Sequence, residues 1–442
     1  MFLLYDILFP LLVLCYLPFY LAHCIRRGGL TVDFWERFGI FPAAVKARLK
    51  ALKAPTWIHA VSVGETVEAL SFIQQWLARH PDGEVVFSCG TATGFALARK
   101  KLPPQVVAIY CPLDCFWMVW RAMRLIRPRC LAILEVEIWP NLIRKAHRRG
   151  AKVVMVNGRM SDRSSAGYAR WRFVFKPVFD CFDALCVQTR EDRLRIERVV
   201  GAADPRVHVV GTVKFDQVAD AAAGDVSQAL RQAFGDGDRV LFCAGSTHPG
   251  EEQLMCRATA QLRRDHPGFR MALVPRHAER GAEVVKVIEA AGLRWRSVAP
   301  VEGATPCASG EAEVLLVNTT GQLMGYYGSA DICYVGKSMC GQTGGHNIIE
   351  PAIFGKAIIY GDHMENFRQV DEIFRQAGAA VAVPDEEAFL RELVRLTDDD
   401  AFREELGGRA RRVVERNRGA ISRTLDVIDG LLDGEADSPP ET

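Results

Sequence analysis

Residues 56–65 read Thr56-Trp57-Ile58-His59-Ala60-Val61-Ser62-Val63-Gly64-Glu65, and an amphipathic stretch, Val67–His80, follows them. A short apolar run of β-branched and aromatic residues that gives way to Ser-x-x-Glu and then to helical periodicity reads as strand, turn and helix. The unit recurs on both sides. Strands are expected at Thr56–Val61, Glu84–Ser88, Val106–Tyr110, Cys130–Leu134, Lys152–Val156, Ala184–Val187 and Val207–Val210, with helical segments such as Leu142–Arg149 between them. The second half repeats the pattern at Arg239–Ala244, Met271–Val274, Val314–Val317, Ile332–Val335 and Ala357–Tyr360. Continuous apolar strands alternating with helices belong to parallel sheets covered on both faces. The fold class is therefore α/β, with two open parallel-sheet halves. Asp216–Gly237, polar and Ala-rich, reads as the link between them.

Composition sets the bounds. The chain has 442 residues, 49% hydrophobic, and 55 Lys plus Arg against 53 Asp plus Glu give a net charge of +2. That excludes a mainly disordered chain and argues against a purely electrostatic nucleic-acid binder. The charge is unevenly spread: Trp117–Lys176 holds 14 Lys and Arg against Glu135, Glu137 and Asp162, a net +11, leaving −9 elsewhere. A block of that kind suits anionic lipid headgroups or a phosphorylated lipid, and nothing beside it resembles a nucleic-acid-binding motif. The 13 cysteines include no CxxC and lie mostly in apolar runs, as reduced core residues do.

Phe2–Ala22 is almost wholly apolar and is followed by Arg26 and Arg27. Its length suits a membrane-associated helix, with the rest of the chain on the cytoplasmic side. Asp6, Pro10 and Pro18 leave open a helix that only inserts. The expected division is 1–25 anchor helix, 26–212 first domain, 213–433 second domain, and 434–442 disordered tail.

In open α/β sheets ligands bind beyond the carboxyl ends of the strands, so the loops there hold the candidates. Ser62-Val63-Gly64-Glu65 has capping-box spacing; read functionally, Gly64 admits a substrate and Glu65 is a general base. Glu135-Val136-Glu137-Ile138-Trp139-Pro140-Asn141 follows another strand and carries two carboxylates. In the second half the loops are Gly245-Ser246-Thr247-His248, Pro275-Arg276-His277, Thr320-Gly321-Gln322 and Gly344-Gly345-His346-Asn347-Ile348-Ile349-Glu350-Pro351. Asn347 and Glu350 also have capping-box spacing, while two glycines beside His346 and Asn347 suit a loop approached by a nucleotide. Neither half has GxGxxG after its first strand, and no metal-ligand spacing is visible, so neither a dinucleotide cofactor nor a metal is expected.

In order, WIHAVSVGE (57–65), EVEIWPN (135–141), VNGRMS (156–161), GTVKFD (211–216), GSTHPGEE (245–252), VPRH (274–277), TGQLMGYYGSAD (320–331), GGHNIIEP (344–351) and Asn366-Phe367 resemble the 3-deoxy-D-manno-octulosonic acid (Kdo) transferases along nearly the whole chain. The resemblance implies a GT-B-like fold, with two facing Rossmann-like domains, the first for the acceptor and the second for the nucleotide sugar. It implies CMP-Kdo as donor substrate and a phosphorylated lipid A precursor as acceptor, at the cytoplasmic face of an inner membrane, with no cofactor. It implies Glu65 as general base and Glu137 and Lys214 as groups that stabilise the transition state. Pro275, Arg276, Gly321, Asn347 and Glu350 match positions that hold CMP, with Thr320, Gln322, Ile348 and Ile349 beside them and Ser62, Gly64, Ser246 and His346 as further candidates. The chain departs from the family pattern at Thr212, Gln322, Lys337 and Asp362 and in the loop Met339–Thr343. Two other readings stand beside this one: a lipid-directed GT-B transferase using a different nucleotide sugar, and a non-catalytic lipid-binding relative.

Overall fold

A computed structural model describes residues 2–26, 32–217, 225–237 and 239–433. The chain forms two compact units, one of residues 1–217 and 418–442 and the other of residues 218–417.

The first unit is built on seven strands: β1 Thr56–Ala60, β2 Val85–Cys89, β3 Val107–Tyr110, β4 Cys130–Leu134, β5 Lys152–Gly158, β6 Ala184–Val187 and β7 Val207–Val209. All are parallel, in the order β3-β2-β1-β4-β5-β6-β7, so the chain reverses direction of growth between β1 and β4. β1, β2 and β4 are buried along their whole length, the reason these segments show no polar alternation. Apolar layers lie on both faces. One joins Trp57, Val86 and Ile133 to helices Phe116–Ile126 and Pro140–His147. The other joins Ile58, Phe87 and Ala132 to helix Val63–Arg79.

The second unit holds β8 Val240–Thr247, β9 Phe269–Pro275, β10 Trp295–Ser297, β11 Val314–Leu316, β12 Ile332–Val335, β13 Ala357–Gly361 and β14 Val381–Val383, in the parallel order β10-β11-β9-β8-β12-β13-β14. The two strands not expected from sequence, β10 and β14, are the edges of this sheet. Each has three residues and is partly exposed, so neither offers an apolar run long enough to register.

Three boundaries differ from expectation. The first unit runs to Gln217, past the expected limit at 212, because Asp216 accepts from Gly419 N (2.6 Å) and Ile421 N (2.7 Å) and ties that segment to the last helix. That helix, Ala420–Asp433, was expected in the second domain but packs on the first, where Ile421, Leu425 and Ile428 join the layer containing Phe72 and Trp76. Arg79 pairs with Asp426, and His80 with Asp429 at 3.0 Å. Within the expected link, Ser227–Phe234 is a helix that buries Leu230, Ala233 and Phe234. The tail from 434 lies outside the described residues.

The N-terminal helix runs Phe2–Arg26, and no described helix is long and apolar enough to cross a membrane. Its first turns rest on the first unit, with the Arg144 guanidinium 3.4 Å from the Phe2 ring centroid. Leu3, Leu4, Leu8, Leu11 and Leu12 are exposed.

Candidate active site

Glu65 enters as the third residue of helix Val63–Arg79. Ser62 Oγ accepts from Glu65 N (3.2 Å), and the Glu65 carboxylate accepts from Ser62 N (3.1 Å) and Val61 N (2.8 Å). The capping box is thus formed, and it aims Glu65, only 6% exposed, back over the carboxyl end of β1. Gly64 has open space around it, with only Ser62 Oγ near the place of a Cβ.

Three more acids and a lysine share this end of the sheet. Glu135, directly after β4, has φ 54, a left-handed conformation that costs a non-glycine residue about 1–2 kcal/mol. Burial raises its carboxyl and Glu65 raises it further, while Lys214 and Arg159 pull it down. Glu137 is pushed up to about 7 by burial and by Glu65 and Glu135. Glu68, one helical turn after Glu65 and nearly buried, is also pushed up to about 7, by burial and then Glu135, against the pull of Lys214. Burial lowers the Lys214 ammonium, and Glu68 and Glu135 hold it up. Asn157, the left-handed residue (φ 57) near the end of β5, binds the group together. Its Nδ2 donates to Glu68 Oε2 (2.7 Å) and its Oδ1 accepts from Val213 N (3.2 Å), beside Lys214.

The structure therefore joins Glu65, Glu137 and Lys214 in one electrostatic group, in which the charges that act on Lys214 are those of Glu68, Glu135 and Arg159. Glu68, Asn157 and Arg159 were missed. Glu68 had a signal in its i,i+3 spacing from Glu65, and Asn157-Gly158 at a strand end is a turn signal. Nothing local marks Asn157 as the partner of a residue 89 positions away.

In the second unit the turn after β8 is tightly packed. A Cβ on Gly245 would lie 2.1 Å from Tyr327 Oη, and one on Gly336 would lie 2.3 Å from the Ser246 carbonyl oxygen. Ser246 has φ 54. Glu251, fully buried, organises two loops at once. It accepts from His248 N (3.0 Å), Lys337 N (2.9 Å), Ser338 N (2.9 Å), Met339 N (3.2 Å) and Tyr334 Oη (2.6 Å). Lys337 takes φ 63, in the left-handed region.

These loops bring His248 and His346 to Nε2–Nε2 contact at 3.1 Å. His346 is held down at about 4 by burial, by His248 and by the nearby cations Arg276 and Lys337. Burial pushes Glu350 up to about 7 against the pull of Arg276 and Asn347. Arg276, His346, Asn347 and Glu350 thus form one group, with Pro275 ending β9 beside them. The expected capping box at Asn347 is not formed. Asn347 Oδ1 accepts from Ile349 N (3.1 Å), the helix starts only at Ile349, and the Glu350 side chain is left to the group. Ile348 and Ile349 are fully buried core residues. The glycines before them answer to packing: a Cβ on Gly344 or Gly345 would meet Asn366 Nδ2 at 2.5 Å or Met364 Sδ at 2.3 Å. Thr320, Gly321 and Gln322 lead into helix Leu323–Ser329, which packs against the short helix Ile349–Ala352. Gln322 Oε1 accepts from Thr319 Oγ1 (2.8 Å) and lines a cavity of about 310 Å³ with Arg296 and Tyr326.

A model of the 3-deoxy-D-manno-octulosonic-acid transferase (kdotransferase) family matches residues 33–217. A 3-deoxy-D-manno-octulosonic acid transferase of Bordetella pertussis is 31% identical over 92% of this chain and 95% of its own. The chain belongs to the 3-deoxy-D-manno-octulosonic acid transferase family. A transferase of the same description from Haemophilus influenzae is 28% identical over 85% of this chain and 87% of its own. Among solved structures, MurG of Acinetobacter baumannii matches 86% of this chain and all of its own at TM-score 0.54 and 14% identity. A UDP-GlcNAc 2-epimerase from Neisseria meningitidis matches 85% of this chain and 99% of its own at TM-score 0.53 and 12% identity. The fold is the GT-B class anticipated from sequence, and the Kdo transferase is a glycosyltransferase.

Proposed function

We propose that this enzyme transfers Kdo from CMP-Kdo to a hydroxyl of a phosphorylated lipid A precursor by a single displacement with inversion. The observation that carries the reading is the gathering of Glu65, Glu68, Glu135, Glu137 and Lys214 beyond the carboxyl ends of β1, β4 and β5. The attacking acceptor oxygen loses its proton to Glu65 as it bonds to the anomeric carbon, and the bond from that carbon to the CMP phosphate oxygen breaks. Glu137 supports the positive charge that grows on the sugar, and Lys214 the negative charge of the leaving group. Arg276, Asn347 and Glu350 hold CMP. The Glu350 carboxylate, close to Arg276 and Asn347, offers acceptor oxygens to ribose hydroxyls.

Attachment to the cytoplasmic face of the inner membrane belongs to this reading. The first helix exposes leucines, and helix Phe116–Ile126 exposes Phe116, Trp117 and Trp120, with Lys145 4.2 Å from the Phe116 ring centroid. Lys46, Lys50, Arg121 and Arg124 line a cavity of about 650 Å³ with Trp120. No ion pair is formed by any of these four cations among the described residues. Indole rings beside unpaired cations suit the headgroup layer of an anionic bilayer.

The test is mass spectrometry of lipid A precursor incubated with CMP-Kdo and the protein. A mass gain of one or more Kdo residues, inhibited by CMP and not by UDP, is expected. Inhibition by UDP would point to a different nucleotide sugar, and lipid binding without turnover to a non-catalytic relative.

A further inference from the structure

Tyr5 and Asp6 are the polar residues at the start of an otherwise apolar helix, and both are turned to the protein. Tyr5 Oη donates to Asp114 Oδ2 at 2.9 Å, and Asp6 Oδ1 accepts from Asn141 Nδ2 at 2.7 Å. Asp114, 1% exposed, also accepts from Asn141 N (2.9 Å) and Leu142 N (2.8 Å), and its carbonyl oxygen accepts from Asn141 Nδ2 (2.8 Å). Helix Pro140–His147 has no side-chain cap from its own N-cap residue, Trp139. Asp114 supplies the missing acceptors from another loop. Tyr5 and Asp6 complete that arrangement from the first helix, and Phe2 packs under Arg144 one turn further along.

The segment held this way follows directly on Glu135–Trp139. Glu135 there is in the left-handed region at φ 54, and Glu137 shares the electrostatic group of Glu65. A strained loop keeps one conformation only where its surroundings over-determine it. On the carboxyl side of this loop the determining contacts are those of Asp114 and Asn141, and two of them come from the N-terminal helix.

We propose that Tyr5 and Asp6 are positioning residues for Kdo transfer: by holding Asp114 and Asn141 they set the loop that carries Glu135 and Glu137, so the N-terminal helix acts on the reaction rate as well as on membrane attachment. The proposal rests on the transferase reading above. It explains a carboxylate in a helix that otherwise favours lipid. An anchor alone is improved by replacing Asp6 with leucine, and a positioning device is damaged by it.

The experiment follows from that opposition. Wild-type, Asp6→Leu, Asp6→Asn and Tyr5→Phe proteins are compared for binding to vesicles of phosphatidylethanolamine and phosphatidylglycerol, and for kcat and KM with CMP-Kdo and lipid A precursor in detergent. Asp6→Leu is expected to bind vesicles at least as well as wild type, with kcat lowered about tenfold (about 1.4 kcal/mol) and KM for CMP-Kdo changed by less than about twofold. Asp6→Asn, whose Oδ1 can still accept from Asn141, is expected to retain kcat within about twofold, and Tyr5→Phe to fall between. If Asp6→Leu does not fold, the contrast of Asp6→Asn with Tyr5→Phe carries the test. Wild-type kcat in Asp6→Leu or in Tyr5→Phe, or equal losses in Asp6→Leu and Asp6→Asn, would overturn the positioning role. Absence of transfer by the wild-type protein would instead overturn the transferase reading itself.

Discussion

Glu65 is asked to do two things, and substituting it separates them. Its carboxylate caps the helix by accepting from Val61 N and Ser62 N, and in the proposed reaction it takes the acceptor proton. Glu65→Gln keeps one acceptor oxygen for the cap, whereas Glu65→Ala keeps none. Loss of a capping interaction costs about 0.5–2 kcal/mol, so about 1 kcal/mol is expected for Gln and about 2 kcal/mol for Ala. For a unit of this size that is a fall in Tm of roughly 2–4 °C and 4–8 °C respectively. Removing a general base costs roughly 10²–10⁴-fold, and the amide and the methyl group lose it equally. The two variants should therefore be equally slow and unequally stable. The assay is single-turnover transfer from CMP-Kdo followed by mass spectrometry at a temperature where both are folded, with Tm from the same preparations. Transfer by Glu65→Gln within about threefold of wild type would remove Glu65 as base and move the role to Glu137, whose carboxyl stands at about 7. Activity that tracks Tm, with Ala far slower than Gln, would reduce Glu65 to its cap.

Three other outcomes are expected. Glu68 rises from 4.5 to about 7 on folding, so the native state binds the extra proton between those values and stability falls as pH increases through that window. Glu68→Gln should remove this penalty and stabilise the protein by about 1–3 kcal/mol at pH 8 but not at pH 4, read as Tm against pH, while slowing transfer by withdrawing a counter-charge from Lys214. In the second unit, fully buried Glu252 accepts two hydrogen bonds from Arg280 at 2.8 and 3.0 Å. Glu252→Ala leaves Arg280 with the exposed Glu283 alone (3.1 Å) and should cost about 2 kcal/mol in urea unfolding; a cost below about 0.5 kcal/mol would contradict the burial argument. Neutralising Lys46 or Arg124 to Gln should weaken binding to phosphatidylglycerol vesicles by about fivefold each, with the difference shrinking as salt increases. Equal binding by these variants at low salt would place the membrane contact elsewhere.

Much of this enzyme was legible before any coordinates. Strand positions are set by runs of apolar residues that must be buried on both faces, and such runs are visible locally; β4, β6 and β12 were located to the residue. The Ser62–Glu65 cap, the family motifs and the loops beyond the strands follow from short-range spacing. What spacing does not carry is which loops meet. Glu68 and Asn157 join the acidic group because β1 and β5 flank β4 in a sheet whose order differs from chain order. Glu251 gathers residues 337–339 for the same reason, across β8 and β12. The last helix belongs to the first unit because its apolar face finds Phe72 and Trp76, which no count of residues along the chain reveals. Asp6 shows the distinction most plainly. In the sequence it is a flaw in an apolar helix; in the fold it is a hydrogen-bond partner 135 residues from Asn141, because a buried amide needs an acceptor and the packing brings one there.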